Sequence, residues 1–483
     1  MRIIPILTVL GFLILAIGLS MLSAVGVSAY YDEPDFKPIL FSALISIGVG
    51  TLLLVFLKRL EQDELRAREG FAIVTFGWII VPLFGSLPFL LSDAIPDFTD
   101  AYFETISGFT TTGASILTDV EKLSHGLLFW RSMTHWLGGM GIIVLSLAVL
   151  PLLGIGGMQL FRAEVAGPTK DKLTPRVAET ARLLWGLYVV ITVAETIMLT
   201  AGGMSLFDAV CHSFATIASG GFSTKNASIG YYNSAYIDAV VTFFMFVAGT
   251  NFALHYSGLR GRLKDYFRDN EFVFFLVSFI VAVVIVSAVT AGSSYDGDVL
   301  RAVRYATFNI MSVMSCTGFA TADFALWVPL AQVILLFLMF PGACAGSTGG
   351  AMKNARVLLL LKAAVNEFSK LIHPQAVVPV RYNGKTVDQD VLFTVAGFII
   401  LYLVTFATGS ILMTALGLDI VTSLSAVASS MANCGPGLGS VGPMANYAHL
   451  PDLAKWVLDA CMLVGRLEIF TVFVLFSRSF WRS

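Results

Sequence analysis

The chain has 483 residues, of which 57% are hydrophobic and 13% are charged, and its mean hydropathy is +0.82. A soluble domain does not carry so few charges over so many apolar positions, so the composition excludes an ordinary soluble protein. The formal net charge of −2 gives no indication of a nucleic-acid partner. Runs of about twenty apolar residues recur along the chain and predict an all-α polytopic membrane protein in contact with lipid.

The N-terminus begins with Met1-Arg2 and an apolar run that extends to about residue 29. A secretory signal would end at a clear small-x-small cleavage site. The run has no such site, so we predict a retained helix over residues 3–29. A second run at 38–57 completes a helix pair, which we assign to an N-terminal two-helix domain over residues 1–68.

Four units of one design follow, each with a long helix, a short half-polar helix, a glycine segment and a second long helix. The short helices are too short to cross a bilayer, which predicts re-entrant segments, with interfacial amphipathic helices as the alternative. Repetition on this scale predicts a pseudo-fourfold arrangement around one pore, with units at 69–170, 171–270, 271–385 and 386–483. The predicted long helices are 70–92 with 127–153, 180–202 with 235–258, 272–292 with 327–365, and 390–416 with 452–480, and the short helices are 99–110, 206–218, 300–315 and 420–432.

Basic residues gather in alternate loops, at 58–68, 162–176, 260–268 and 353–385, and again in the tail. By the positive-inside rule, these loops and both termini are predicted to be cytoplasmic. The glycine segments then enter from outside, where most of the loop carboxylates lie. A mouth lined with carboxylates would concentrate cations by electrostatic focusing.

The glycine segments at 110–115, 219–224, 316–321 and 433–437 have the residue types of a cation filter. Such a filter replaces the hydration shell of a monovalent cation with backbone carbonyls, and glycine tolerates the positive φ that turns those carbonyls inward. Two adjacent glycines leave the register of the second segment uncertain by one residue. The expected ligands are the carbonyls around Thr111, Thr112 and Gly113; Ser219, Gly220 and Gly221; Cys316, Thr317 and Gly318; and Asn433, Cys434 and Gly435.

The run from Pro341 to Gly350 interrupts the second long helix of the third unit with proline and glycine. Broken backbone at membrane depth is tolerated where it lines a water-filled cavity. Its last part would lie just inside the filter as a gate, with a packing kink as the alternative. The predicted gate loop consists of Gly346, Ser347, Thr348, Gly349 and Gly350.

Arg466 lies in the last predicted span, where a charged side chain is costly and usually functional or paired. It is predicted to form a barrier below the filter or to latch the gate loop. The alternative is a structural ion pair with Glu468 or Glu195, of which Glu195 fits better because residues two apart on a helix do not face each other.

Together with the glycine segments, three further runs resemble the Trk/Ktr/HKT superfamily of potassium transporters, and most closely its TrkH branch: WRSMTHWLGGMG at 130–141, AGSTGG at 345–350 and VGRLE at 464–468. The resemblance covers nearly the whole chain. It implies potassium as the transported ion, uptake across the bacterial inner membrane and a homodimer. It also implies an intramembrane gate at 346–350 and a cytosolic ring of nucleotide-binding TrkA-type subunits that controls opening.

The sequence contains no Ser/His/Asp order, no HExxH motif and no paired catalytic carboxylates, so an enzyme is not predicted. It also has no GxGxxG motif following a strand, and nucleotide control would have to come from a partner rather than from an organic cofactor in this chain. His135 is predicted to be a packing histidine, and the five cysteines follow no disulfide or metal spacing. A potassium symporter coupled to H+ or Na+ is the alternative, with Glu195 and Glu468 as its candidate carboxylates.

Overall fold

The computed structural model describes residues 3–57, 67–148, 173–376 and 378–481, and most of these residues are helical. Most of the predicted basic segments at 58–68 and 162–176 lies outside the described residues, as does the end of the helix predicted at 127–153.

The α-helices are α1 (Ile3–Tyr30), α2 (Phe36–Leu57), α3 (Ala67–Gly85), α4 (Leu87–Leu91), α5 (Phe98–Phe109), α6 (His125–Ala148), α7 (Leu173–Ala201), α8 (Leu206–Ala218), α9 (Ala235–Gly249), α10 (Phe252–Leu259), α11 (Lys264–Arg268), α12 (Asn270–Ser293), α13 (Val299–Met314), α14 (Pro329–Leu338), α15 (Asn354–Ile372), α16 (Gln389–Ala415), α17 (Ile420–Ala432), α18 (Asp452–Arg466), α19 (Phe470–Phe473) and α20 (Arg478–Trp481). Single 3₁₀ turns lie at Val120–Lys122, Ser228–Tyr232, Phe324–Leu326, Gly439–Val441 and Val474–Phe476. Strands β1 (Arg381–Tyr382) and β2 (Lys385–Thr386) form an antiparallel hairpin, with Tyr382 opposite Lys385.

Six of the described helices are long and apolar enough to cross a membrane, or seven if the bent pair α9–α10 is counted as one span. Large apolar side chains on them are exposed, for example Phe56 at 70% and Phe393 at 73%. Exposed apolar area of this extent is typical of a surface covered by lipid. The buried core divides into two main clusters, one built mainly from the second and third units and the other from α1, α2 and the first and fourth units.

The four short helices, α5, α8, α13 and α17, begin in the same way. Each N-cap side chain accepts the backbone N–H three residues further on, which satisfies one of the free donors at a helix start. The pairs are Asp97 with Asp100, Ser205 with Asp208, Asp298 with Arg301, and Asp419 with Thr422. Every residue of α5 from Ala101 to Phe109 is buried, which excludes a helix lying on the membrane surface.

In the part of the chain that the structure describes, the second long helices of the last three units are broken. The break predicted in the third unit is confirmed, because α14 ends at Leu338 and α15 begins at Asn354. The continuous helix predicted at 235–258 is wrong, since α9 and α10 meet at an angle of 103°. The continuous helix predicted at 452–480 is also wrong, since α18 ends at Arg466 and both Glu468 and Ile469 have positive φ.

Tertiary contacts explain both unexpected breaks. Asn251 caps α10 by accepting the N–H of Ala253 at 2.9 Å, and Gly346 O accepts the N–H of Phe252 at 3.1 Å. Beyond α18, Glu468 forms an ion pair with Arg356 of α15 at 2.5 Å. Each break is therefore fixed by a residue in or next to the interrupted segment of the third unit, which sequence periodicity does not reveal.

Candidate functional site

The four glycine segments share one backbone conformation. A non-glycine residue with left-handed φ follows each short helix by one or two positions, and a glycine with positive φ lies two positions later, while the residue between them lies outside the left-handed region. Non-glycine residues seldom adopt positive φ, so its occurrence at four equivalent positions indicates a shared structural requirement. The φ values are 53° and 82° for Thr111 and Gly113, 56° and 79° for Ser219 and Gly221, 59° and 85° for Cys316 and Gly318, and 53° and 96° for Asn433 and Gly435.

This conformation fixes the register of the second segment. Gly221 corresponds to Gly113, whereas Gly220 corresponds to Thr112. The hydrogen bonds agree with this register, because the N–H groups of Thr112 and Gly220 each donate to the carbonyl five residues earlier, as do those of Thr317 and Cys434. The one-residue uncertainty left by the sequence is thereby removed.

The four segments close into a ring, to which each contributes one carbonyl that packs against the positive-φ glycine of another unit. A Cβ added at one of these glycines would collide with that carbonyl oxygen. The contacts run from Gly113 to Gly220 O, from Gly221 to Thr317 O, from Gly318 to Cys434 O, and from Gly435 to Thr112 O. Because each unit meets the next in chain order and the fourth meets the first, the units surround a common axis.

A cavity of about 150 Å³ is lined by all four of these glycines. Lys225 and Asn446 contribute to its wall, and no Asp or Glu is among the described residues that line it. In the described part of the chain, the wall nearest the ring is therefore not lined by carboxylates, and the expected carboxylate-lined mouth stays a prediction for the region further out. Three carboxylates of the loops predicted to lie outside, Asp97, Asp298 and Asp419, cap short helices.

Each segment is supported from behind by a polar side chain of its own short helix. Glu104 accepts the N–H of Ile116 at 2.9 Å, and His212 Nε2 lies 2.9 Å from Ser223 Oγ. In the third unit, Asn309 Oδ1 accepts the N–H of Thr321 at 3.5 Å. In the fourth unit, Ser425 Oγ accepts the N–H of Leu438 at 2.8 Å. Glu104, His212 and Asn309 all lie seven residues before the left-handed residue of their unit.

Two residues of α6 connect the first unit to the second. Arg131 pairs with Glu104 at 2.6 Å and donates to Ser223 O at 3.0 Å. His135 Nε2 accepts the N–H of Phe222 at 3.1 Å, so its proton lies on Nδ1 and is donated to Gly108 O at 2.7 Å. His135 is a buried, satisfied packing histidine, as predicted, and it also contacts the ring segment. The role of the Glu104–Arg131 pair was missed, although the i,i+4 spacing of Arg131 and His135 places both on one helix face.

The predicted gate loop lies against the C-terminal ends of the short helices. Thr348 Oγ1 is 2.8 Å from Ser219 Oγ and 3.0 Å from Ile217 O. A Cβ at Gly349 would contact Ser315 O, and one at Gly350 would contact Ala432 O. The loop therefore meets the second, third and fourth units directly beside the residues that begin the ring.

Arg466 holds this loop through the backbone. Its Nη1 donates to Thr348 O at 2.8 Å, and its Nη2 lies 3.5 Å from Gly138 O. The ion pair considered between Arg466 and Glu468 is wrong, because Glu468 pairs with Arg356 instead. Both carboxylate oxygens of Glu195 are buried and have no hydrogen-bond partner among the described residues, so Glu195 does not pair with Arg466 either.

The fold and the site define a polytopic membrane protein in which four re-entrant segments converge on a ring built from backbone carbonyls. A family profile described as "TrkH: Cation transport protein" matches residues 39–483. The chain belongs to this TrkH family.

Relatives of similar length support the assignment. The chain is 42% identical over 481 residues to the Trk system potassium uptake protein TrkH of Halomonas elongata, covering 99% of both chains. It is 42% identical over 479 residues to TrkH of Escherichia coli K12, covering 98% of both, and 37% identical over 476 residues to TrkG of the same strain, covering 98% of this chain and 97% of the relative. The crystal structure of the potassium transporter TrkH from Vibrio parahaemolyticus superposes with a TM-score of 0.91 at 37% identity, over the whole of both chains.

Proposed function

We propose that this chain carries potassium into the cell through a channel-like pore whose selectivity filter is the ring of segments at 111–113, 219–221, 316–318 and 433–435. The observation that carries the proposal is the closed ring of carbonyls, each packed against a glycine with positive φ. Four such carbonyls are the chemistry that replaces the water around a large monovalent cation. Relatives that match nearly end to end are named for potassium uptake.

The proposed gate is the loop at 346–350. Its contacts with Ser219 and with the carbonyl ends of three short helices support a position across the pore, just inside the ring. Arg466 stabilises the closed position through Thr348 O, and its positive charge opposes a cation at this level. Opening then requires this segment to leave the short helices.

The membrane, the orientation and the protein partners of the chain are part of the same proposal. The basic loops support cytoplasmic termini in the inner membrane of a bacterium. The Trk-system names of the relatives support a cytosolic partner, which we take to be a TrkA-type nucleotide-binding subunit, and a homodimeric membrane subunit. The chain itself provides the ion path, and potassium is its substrate.

Ion flux into liposomes tests the pore. Full-length protein under a potassium gradient alone should carry current, with potassium preferred over sodium. A requirement for a second ion before any current flows would contradict the channel-like mechanism. Shortening the loop at 346–350 should raise the basal flux, and a fall in flux would indicate that the segment is only a structural kink.

One observation favours the alternative of coupling to protons. Glu195 is fully buried, and neither of its carboxylate oxygens has a hydrogen-bond partner among the described residues. A coupled transporter would lose its response to a proton gradient in Glu195→Gln while still binding potassium. Glu468 is a poorer candidate because Arg356 already neutralises it.

A further inference from the structure

A buried carboxylate binds both ends of the segment that contains the proposed gate. Glu271 lies in the first turn of α12 and is 3% exposed. Its Oε1 accepts the N–H of Ala345 at 2.7 Å and the N–H of Ala355 at 2.8 Å. Ala345 immediately precedes the gate loop, and Ala355 lies in the first turn of α15 beyond it. Because one oxygen atom accepts both N–H groups, it keeps the two ends of the segment close together.

The same carboxylate is connected to the hairpin β1–β2. The hydroxyl of Tyr382, which is buried, donates to Glu271 Oε2 at 3.4 Å. At the turn of the hairpin, Asn383 donates to Asp269 Oδ2 at 2.7 Å and accepts the N–H of Asn270 at 2.8 Å. The hairpin and the start of α12 are therefore joined by several hydrogen bonds and should move together.

A cavity of about 460 Å³ lies beside this network. Its wall includes Glu271 together with Ala345, Ala355 and Asn383. It also includes Arg262 and other charged residues of the basic loop between α10 and α12, which we assign to the cytoplasm. The carboxylate thus lies between the gate loop and a surface on the cytoplasmic side.

We propose that Glu271 is a positioning residue that keeps the gate loop closed, and that the hairpin at 381–386 controls it. The proposal rests on the gate assigned above to 346–350. A displacement of the hairpin shifts the first turn of α12, and with it the carboxylate, away from Ala345 and Ala355. Loss of these two hydrogen bonds frees both ends of the gate segment and allows it to leave the short helices.

Basal potassium flux through the full-length protein in liposomes, without a partner, tests this role. Glu271→Ala removes the acceptor of both hydrogen bonds and should raise the flux roughly tenfold, as expected for the loss of two buried hydrogen bonds. Glu271→Gln keeps an acceptor oxygen but cannot ionise, and should raise the flux less, by about threefold. Asp265→Asn is the matched control, because Asp265 lines the same cavity but bonds to Ser257. It should behave like the parent.

Two further readouts separate positioning from a general loss of structure. The potassium-to-sodium flux ratio should be unchanged in both Glu271 variants, because the ring does not contact Glu271. Cys344, which is 1% exposed and adjacent to Ala345, should react faster with a maleimide, as measured by mass spectrometry. Cys211 and Cys461, buried elsewhere, are internal controls and should keep their parent rates.

Parent-level flux and parent-level Cys344 labelling in both Glu271 variants would overturn the proposal. If Glu271→Ala does not fold, the basal flux and the Cys344 labelling of Glu271→Gln alone test the proposal. A raised flux in the loop-shortened protein, with parent flux in the Glu271 variants, would overturn the role of Glu271 and leave the gate intact. Parent flux in the loop-shortened protein would instead overturn the gate.

Discussion

The ring depends on four glycines at positions that no residue with a side chain can occupy without strain. Gly113, Gly221, Gly318 and Gly435 combine a positive φ with a neighbouring carbonyl where a Cβ would lie. Either feature alone disfavours substitution, and together they make glycine a requirement. The two sulfur atoms beside the ring contact other segments: Cys434 Sγ lies 3.9 Å from Val313 O, and Cys316 Sγ packs against Gly342.

Gly113→Ser should lower the preference for potassium over sodium. The new Cβ would collide with Gly220 O, so this carbonyl must move from its place in the ring. A loss of discrimination of about 1.4 kcal/mol would change the flux ratio roughly tenfold. Gly26→Ser is the control, because nothing lies within 4 Å of a Cβ there. An unchanged flux ratio in Gly113→Ser would contradict the filter assignment.

Glu104→Gln should destabilise the protein. The substitution leaves the buried Arg131 without its carboxylate, and breaking a buried ion pair typically costs about 3–5 kcal/mol. Thermal unfolding in detergent measures the loss, with the exposed Asp296→Asn as control. A melting temperature equal to that of the control would show that the pair contributes little.

At the scale of elements, the broken helices are coupled rather than independent. The loop at 346–350 fixes the break between α9 and α10 through Gly346 O, and α15 fixes the break after α18 through Arg356. The short helices α8, α13 and α17 end against the same loop. Movement of this one segment therefore affects three of the four units, which is what a gate across a shared pore requires.

Thr348→Val should raise the basal flux, because it keeps the shape of the side chain but removes the hydroxyl that contacts Ser219 and Ile217 O. The loss of these neutral hydrogen bonds corresponds to about 1 kcal/mol, or roughly a fivefold rise. Thr408→Val is the control, because the hydroxyl of Thr408 is exposed and bonds only to Val404 O of its own helix. If the flux of Thr348→Val equals that of this control, the hydroxyl of Thr348 does not contribute to gating.

At the scale of the whole molecule, the apolar exterior and the charge pattern together define how the protein lies in a membrane. Exposed apolar side chains cover the long helices. The orientation that we propose assigns the basic loops to the cytoplasmic side. Two core clusters meet around the ring, so the units cannot rotate freely about the axis without repacking.

Cysteine labelling of vesicles tests the orientation. Arg262→Cys should react only with a reagent present on the cytoplasmic side, and Asp296→Cys only with one on the outer side. Both positions are exposed, whereas all five native cysteines are buried. Labelling of both positions from the same side would contradict the proposed topology.

The sequence by itself determined the class of fold, the extra helix pair, the position of the short helices and the break in the third unit. These features depend on local causes: apolar length, helix caps such as Asp97, and the tolerance of glycine for positive φ. For this reason α8 and α17 begin and end where the sequence placed them.

Only the tertiary structure decided the register of the second segment, the contact of Arg466 with Thr348 O, and the breaks at Thr250-Asn251 and after Arg466. Among the described residues, it brought no Asp or Glu into the wall of the cavity at the ring, and it placed Glu104 behind the segment at 111–113 and Glu271 beside Ala345 and Ala355. Each of these features depends on contacts between residues far apart in the chain, as between Gly113 and Gly220 or Glu271 and Ala345. Such contacts cannot be inferred from local periodicity or composition, because they form only when the four units pack together.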